Sequence, residues 1–173
     1  MFVITGPSGV GKGTLIGGLR ERVPELELSV SATTRGPRPG ELDGVDYHFL
    51  TPEEFDRRVT SGDFVEHAKY SGNRYGTLRS ELERTLRDGI PVVLEIEVQG
   101  ARQVREAMPD AIAVFIAPPS LEALRTRLVG RGTDTAEREL RAQSVFSHVV
   151  VNDRLEQATL ELTRIVRQAL EDR

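Results

Sequence analysis

Lys12 closes a run of glycines whose spacing suits the capture of an anion. Gly6-Pro7-Ser8-Gly9-Val10-Gly11-Lys12 has the form Gly-x-x-x-x-Gly-Lys. Glycines there let the backbone curl until several N–H groups point at one phosphate, and the lysine adds a point charge for the outer phosphates. Motifs of this kind place a Ser or Thr hydroxyl after the lysine, on a magnesium ion. Here that place is held by Gly13, and Thr14 follows, so the ion would rest mainly on nucleotide oxygens and water. Two further groups have chemistry in their spacing. Arg35 and Arg38, three residues apart, carry guanidinium forks that match phosphate oxygens. Glu95 and Glu97 close a run of apolar residues, and carboxylates at the end of a buried strand beside a phosphate loop organise a metal.

Elements must position these groups. Phe2-Val3-Ile4-Thr5 suits a buried strand, and Leu15 and Leu19 continue beyond the loop as a helix, so the motif sits at a strand–loop–helix junction. Leu26 to Ser31 reads as a second strand and Asp46 to Leu50 as a short one. Thr51-Pro52-Glu53-Glu54 reads as a helix start with a capping box, the helix ending near Gly62. Phe64 to Tyr70 has strand composition. Thr77 is placed to cap a helix through Leu78, Leu82 and Leu86. Pro91 to Ile96 and Ala111 to Ala117 are continuous apolar strands of the kind covered on both faces. Helices are expected over Val98–Met108, over Leu121–Val129 capped by Ser120, and over Ala136–Gln143. A last strand, His148 to Val151, ends in Asn152-Asp153, and Leu155–Leu170 is a terminal helix. The expected fold is α/β: five parallel strands covered by helices, formed by residues 1–34 and 78–173, with a small, mostly β insertion at 35–77 and a short lid at about 131–137.

Composition narrows the partners. The chain has 173 residues, 38% of them hydrophobic and 29% charged, which suits one soluble globular domain. A net charge of −4 argues against bulk nucleic-acid binding, and no apolar run approaches membrane-span length. Without cysteines there can be no disulfide or thiolate zinc site, and His48, His67 and His148 have no ligand spacing. The chain opens on its first strand with no room for a signal peptide, so residence in the cytoplasm is expected.

The Gly11-Lys12-Gly13-Thr14 tetrad resembles the loop of adenylate kinases, but the whole chain resembles guanylate kinases more specifically. That resemblance rests on the phosphate loop, Ser31-x-x-Thr34-Arg35-x-x-Arg38-x-Gly40-Glu41, Gly44-x-x-Tyr47-x-Phe49, Glu66, Gly72-Asn73-x-Tyr75-Gly76-Thr77, Glu95-x-Glu97-x-Gln99-Gly100-Ala101, Arg131-Gly132-Thr133-Asp134 and Val151-Asn152-Asp153. It implies transfer of the γ-phosphate of ATP to GMP, with dGMP a further candidate, in the presence of Mg2+. Gly6 to Thr14 would bind ATP together with Arg131 and Asn152. Ser31, Arg35, Arg38, Tyr47, Glu66, Tyr75, Gly76, Thr77 and Glu97 would bind GMP. Lys12, Arg35 and Arg131 would act in catalysis. Glu95 would hold the metal through water, with Thr14 a second candidate. Chemistry supports the base reader: an ionised carboxylate accepts only, which suits the N1–H and N2–H donors of guanine. The resemblance also implies an alternative, a non-catalytic module that binds protein in the GMP groove, although such modules have degraded phosphate loops and Lys12 is intact.

Two departures from the family stand out. Its acidic strand end is Asp-x-Asp or Glu-x-Asp, whereas here both carboxylates are Glu. Between Arg131-Gly132-Thr133-Asp134 and Glu139-Leu140 the family has roughly ten residues more, much of a helical lid with further arginines. A true deletion would leave a stunted lid relying on Arg131, with Arg138 or Arg141. The alternative, favoured because lids are commonly mobile without ligand, is a chain break hidden between Thr133 and Glu139.

Overall fold

The computed structural model describes residues 1–128 and 133–172. Strand β1 (Phe2–Thr5) runs through the middle of a parallel sheet. Its side chains alternate between two cores, as a strand's period of two requires. Phe2 and Ile4 point to one face, where they meet Leu15, Ile16 and Leu19 of α1 (Lys12–Arg22) and Ala158, Leu162 and Val166 of α7 (Leu155–Glu171). Val3 points to the other, against Leu82 of α3 (Arg79–Arg87) and Ala101 and Val104 of α4 (Val98–Ala107). Burial on both faces explains the uninterrupted apolar strands of the sequence.

The remaining core strands are β2 (Glu27–Leu28), β7 (Val92–Glu95), β8 (Ile112–Ala117) and β9 (His148–Val151). The order is β2-β7-β1-β8-β9, five strands, all pairs parallel. This is the expected α/β core.

A second sheet comprises β3 (Ser31–Thr33), β4 (His48–Phe49), β5 (Phe64–Tyr70) and β6 (Asn73–Leu78), four strands in the order β4-β3-β6-β5. Its own small core is Ala32, Phe55, Phe64 and Leu78, with the Phe55 and Phe64 rings stacked 4.5 Å apart. Phe55 comes from α2 (Pro52–Thr60), whose N-terminus forms as read: the Thr51 hydroxyl accepts from the Glu54 N–H and Pro52 opens the first turn. The Glu54 carboxylate does not complete the box. It pairs with Arg58 one turn on, a charged partner on the same helix face.

Three local expectations change. The single strand at Leu26–Ser31 is two strands in two sheets. After Ser29, whose N–H donates to Val93, the chain leaves the core, and Ser31 pairs with Thr77 in the small sheet. The small sheet therefore begins before residue 35. Thr77 does not cap α3: β6 continues to Leu78, and the Thr77 hydroxyl turns inward to a carboxylate instead. Finally, α5 (Leu121–Arg127), capped by Ser120, is followed by α6 (Thr133–Arg141), and a 3₁₀ turn covers Ala142–Val145. The stretch from Thr133 to Glu139, where the hidden break is expected, lies within helix α6. No helix among the described residues is long and apolar enough to cross a membrane.

Candidate active site

The loop after β1 is shaped by a contact that excludes any side chain. A Cβ on Gly6 would lie 2.3 Å from the Ile116 carbonyl oxygen of β8, and its φ is +147°. The chain can therefore turn sharply against the neighbouring strand only with glycine there. The Lys12 ammonium, at the start of α1, folds back over the loop and donates to the carbonyls of Gly6 at 2.8 Å and Pro7 at 3.4 Å. From the far end of the chain, the buried Asn152 amide donates to the Val10 carbonyl at 2.8 Å. Asn152 thus anchors the loop from behind through one of its two amide N–H groups.

A cleft of about 490 Å³ opens between this loop and the small sheet. Ser8, Gly9, Gly11, Lys12 and Gly13 line one wall. Ser31, Tyr47, Glu66, Tyr75 and Gly76 line the other, and Glu95 and Glu97 form its base. Thr14 is exposed on the first turn of α1 and outside this lining.

Glu66 is 4% exposed. The Thr77 hydroxyl donates to its Oε1 at 2.8 Å. Burial pushes its carboxyl up to about 7, against the pull of hydrogen bonds from the Thr77 side chain and backbone, with the Glu97 charge adding to the rise. Thr77 is thus a support behind Glu66, outside the cleft lining.

The phosphate-binding candidates of the small sheet assemble around Arg35. Its guanidinium forms a two-pronged bond to Glu41, 2.9 and 2.8 Å, and lies 5.2 Å from the Tyr47 ring centre. The Tyr47 and Tyr75 rings meet edge to face at 6.1 Å. The Arg35 hydrogen bond, then the Arg38 N–H, holds the Glu41 carboxyl below its usual range. Burial, then Tyr75, pushes the Tyr47 phenol up. The Arg38 side chain is exposed, while its backbone N–H donates to Glu41 at 2.7 Å.

At the base, burial raises the Glu95 carboxyl. Lys12 opposes that rise and Glu97 adds to it. A Cβ on Gly13 would lie 3.9 Å from both Glu95 oxygens, so this carboxylate faces the position where a hydroxyl residue would stand. Among the described residues no group of three or more acidic or histidine side chains could hold a metal. A single carboxylate beside a phosphate loop suits an ion that arrives on its nucleotide and keeps its waters.

Sequence reasoning missed two participants. Glu139 of α6 reaches the loop: the Ser8 N–H and the Glu97 carboxyl both act on its carboxyl, and Glu97 Oε2 and Glu139 Oε2 are each buried without a hydrogen-bond partner among the described residues. Burial and then the Glu97 charge push the Glu139 carboxyl up to about 7. Nothing in the spacing of α6 signals this, because it depends on how that helix packs. The second is Gly100, part of a recognised motif but with no assigned role; the Glu66 carboxyl occupies the space its side chain would fill. Arg131 lies outside the described residues.

A glycine loop at the carboxyl end of the central strand of a parallel sheet, with an acidic strand end beside it, defines a phosphate-loop kinase. The family model for guanylate kinase matches residues 1–169. A guanylate kinase of Synechococcus sp. (strain CC9311) is 53% identical over 172 residues, covering 94% of this chain and 90% of that protein. That of Mycolicibacterium paratuberculosis (strain ATCC BAA-968 / K-10) is 49% identical over 185 residues, covering 100% of this chain and 83% of that protein. Among solved structures, guanylate kinase from Anaplasma phagocytophilum superposes with a TM-score of 0.83 at 35% identity, covering 97% of this chain and 84% of that one. The chain belongs to the guanylate kinase family. The Mycolicibacterium alignment spans 185 positions against the 173 residues of this chain. The relative therefore carries internal residues that this chain lacks.

Proposed function

We propose that this chain transfers the γ-phosphate of ATP to GMP, giving ADP and GDP. The observation that supports this best is that one cleft has the phosphate loop on one wall and Glu66 on the other. Donor phosphates and an acceptor base reader thus face a common space. The loop amides and Lys12 hold the ATP phosphates. Glu66 accepts from N1–H and N2–H of guanine, with Ser31 beside it. Adenine would present the wrong group there. Arg35, Arg38, Tyr47 and Tyr75 hold the GMP phosphate. This requires Arg35 to share or release its Glu41 partner, since both anions take the same guanidinium fork.

The acceptor is a phosphate oxygen, already ionised at neutral pH, so no strong general base is required. Catalysis is positioning and charge stabilisation in a site closed to water. Lys12 stabilises charge that develops on the phosphoryl group in flight, and Arg131 is assigned the same task. Glu95 would hold Mg2+ through water, and the ion when bound neutralises charge on the donor phosphates. Glu97 is assigned to the GMP side. The intact loop and lysine disfavour a non-catalytic binding module.

The test is a coupled assay of ADP release with GMP, dGMP, AMP, CMP and UMP as acceptors. Turnover with guanine nucleotides at rates far above the others is expected. Equal rates with AMP, or no turnover with GMP, would overturn the reading.

A further inference from the structure

Glu66 lies on β5, the edge strand of the small sheet, yet helix α4 of the core determines where its carboxylate can sit. Two residues one turn apart on α4 meet β5 at consecutive positions. A Cβ on Gly100 would lie 2.2 Å from Glu66 Oε2 and 3.0 Å from its Cδ, so the carboxylate fills the place of a side chain at 100. One turn further along, the Gln103 amide takes both edge groups of the next residue. The His67 N–H donates to Gln103 Oε1 at 3.1 Å, and Gln103 Nε2 donates to the His67 carbonyl at 2.8 Å. A primary amide that both accepts and donates in this way continues the ladder as one residue of a further strand would.

The register of β5 fits this arrangement. The pairing with β6 shifts between Phe64 and Glu66, a bulge at Val65. Val65 packs into the core with Leu82, Ile96, Ala101 and Val104. A bulge re-aims the side chain that follows it, here toward Gly100. The outward-facing backbone of His67 then meets Gln103.

We propose that Gly100 and Gln103 are the positioning residues for the base reader: together they hold Glu66 at one place against the core, so acceptor specificity depends on α4 as well as on the small sheet. Gly100 leaves the room and Gln103 fixes the strand that carries the reader. Neither touches the nucleotide. Because α4 begins directly after Glu97, the same rigid helix links the guanine end of the cleft to the carboxylates at its base. This rests on the assignment of Glu66 as base reader.

The experiment uses the full chain and initial rates with GMP and AMP, for Glu66→Gln, Gln103→Met, Gly100→Ala and each of the last two combined with Glu66→Gln. Gln103→Met keeps the side chain's bulk and removes both hydrogen bonds. It should raise GMP KM about tenfold, the loss of roughly one net hydrogen bond, with ATP KM and kcat at saturating GMP unchanged. Gly100→Ala should raise GMP KM further and narrow the GMP-over-AMP preference. In the Glu66→Gln background both changes should add nothing, because there is no reader left to position. If Glu66→Gln raises GMP KM while Gln103→Met and Gly100→Ala leave it at the wild-type value, the positioning role is overturned and the reader stands. Equal rises in ATP and GMP KM, or effects that persist in full in the Glu66→Gln background, mean a merely structural role and also overturn it. A wild-type GMP KM in Glu66→Gln overturns the reader itself.

Discussion

At the scale of single residues, burial makes the charge of Glu66 hard to maintain. It is almost wholly buried, and its hydrogen bonds come from one residue, Thr77. In the absence of ligand its carboxyl titrates near 7. Reading guanine requires the ionised form, so GMP KM should rise as pH falls below about 7 in the wild type and this rise should be lost in Glu66→Gln, measured by initial rates between pH 5.5 and 8.5. Stability carries the opposite sign. Between its ordinary 4.5 and about 7 the folded chain holds a proton at Glu66 that the unfolded chain has lost. This group therefore lowers stability as pH rises through that window, by up to about 1.4 kcal/mol per pH unit. Thermal unfolding at pH 5, 6 and 7 should show that slope reduced in Glu66→Gln. Lys12 behaves differently. It is assigned to the ATP phosphates, and among the described residues its hydrogen bonds go to the two loop carbonyls. Lys12→Ala should melt close to the wild type while kcat falls by about 10³ or more, because its charge acts on the phosphate in flight.

At the scale of elements, contiguous signals were readable and split ones were not. The β1–loop–α1 unit is local: apolar strand, glycines, lysine and helix follow one another, and its geometry follows from that order. The caps of Thr51 and Ser120 are local in the same way. The division of Leu26–Ser31 between two sheets was not legible, since each piece is only two or three residues long and its partner lies far along the chain. Thr77 looked like a cap because a helix follows, but the buried carboxylate it faces comes from another strand. Glu139 was hidden for the same reason. The resemblance places Asn152 near the nucleotide, and its amide also holds the loop. Asn152→Ala should leave the buried Val10 carbonyl without its donor, at a cost of about 1–3 kcal/mol. A lower melting temperature and a higher ATP KM, with GMP KM unchanged, are the expected results, read by thermal unfolding and initial rates.

At the scale of the whole molecule, the deletion alternative for the lid at about 131–137 has its own test: a shortened lid would leave the γ-phosphate more accessible, so ADP release in the absence of GMP would be a measurable fraction of the full rate and would fall when GMP analogues fill the acceptor side. The bond from Asn152 to Val10 also has a consequence in time. Its two ends are 142 positions apart, and β1 pairs with β7 and β8, both distant in the chain. The phosphate loop therefore waits for a residue 142 positions further along before this bond can hold it. Contacts this distant close slowly. Refolding from denaturant should recover helical signal early, and the capacity to bind ATP should return only with the slowest phase. In Asn152→Ala the early phase should be unchanged, because helices form before contacts this distant close.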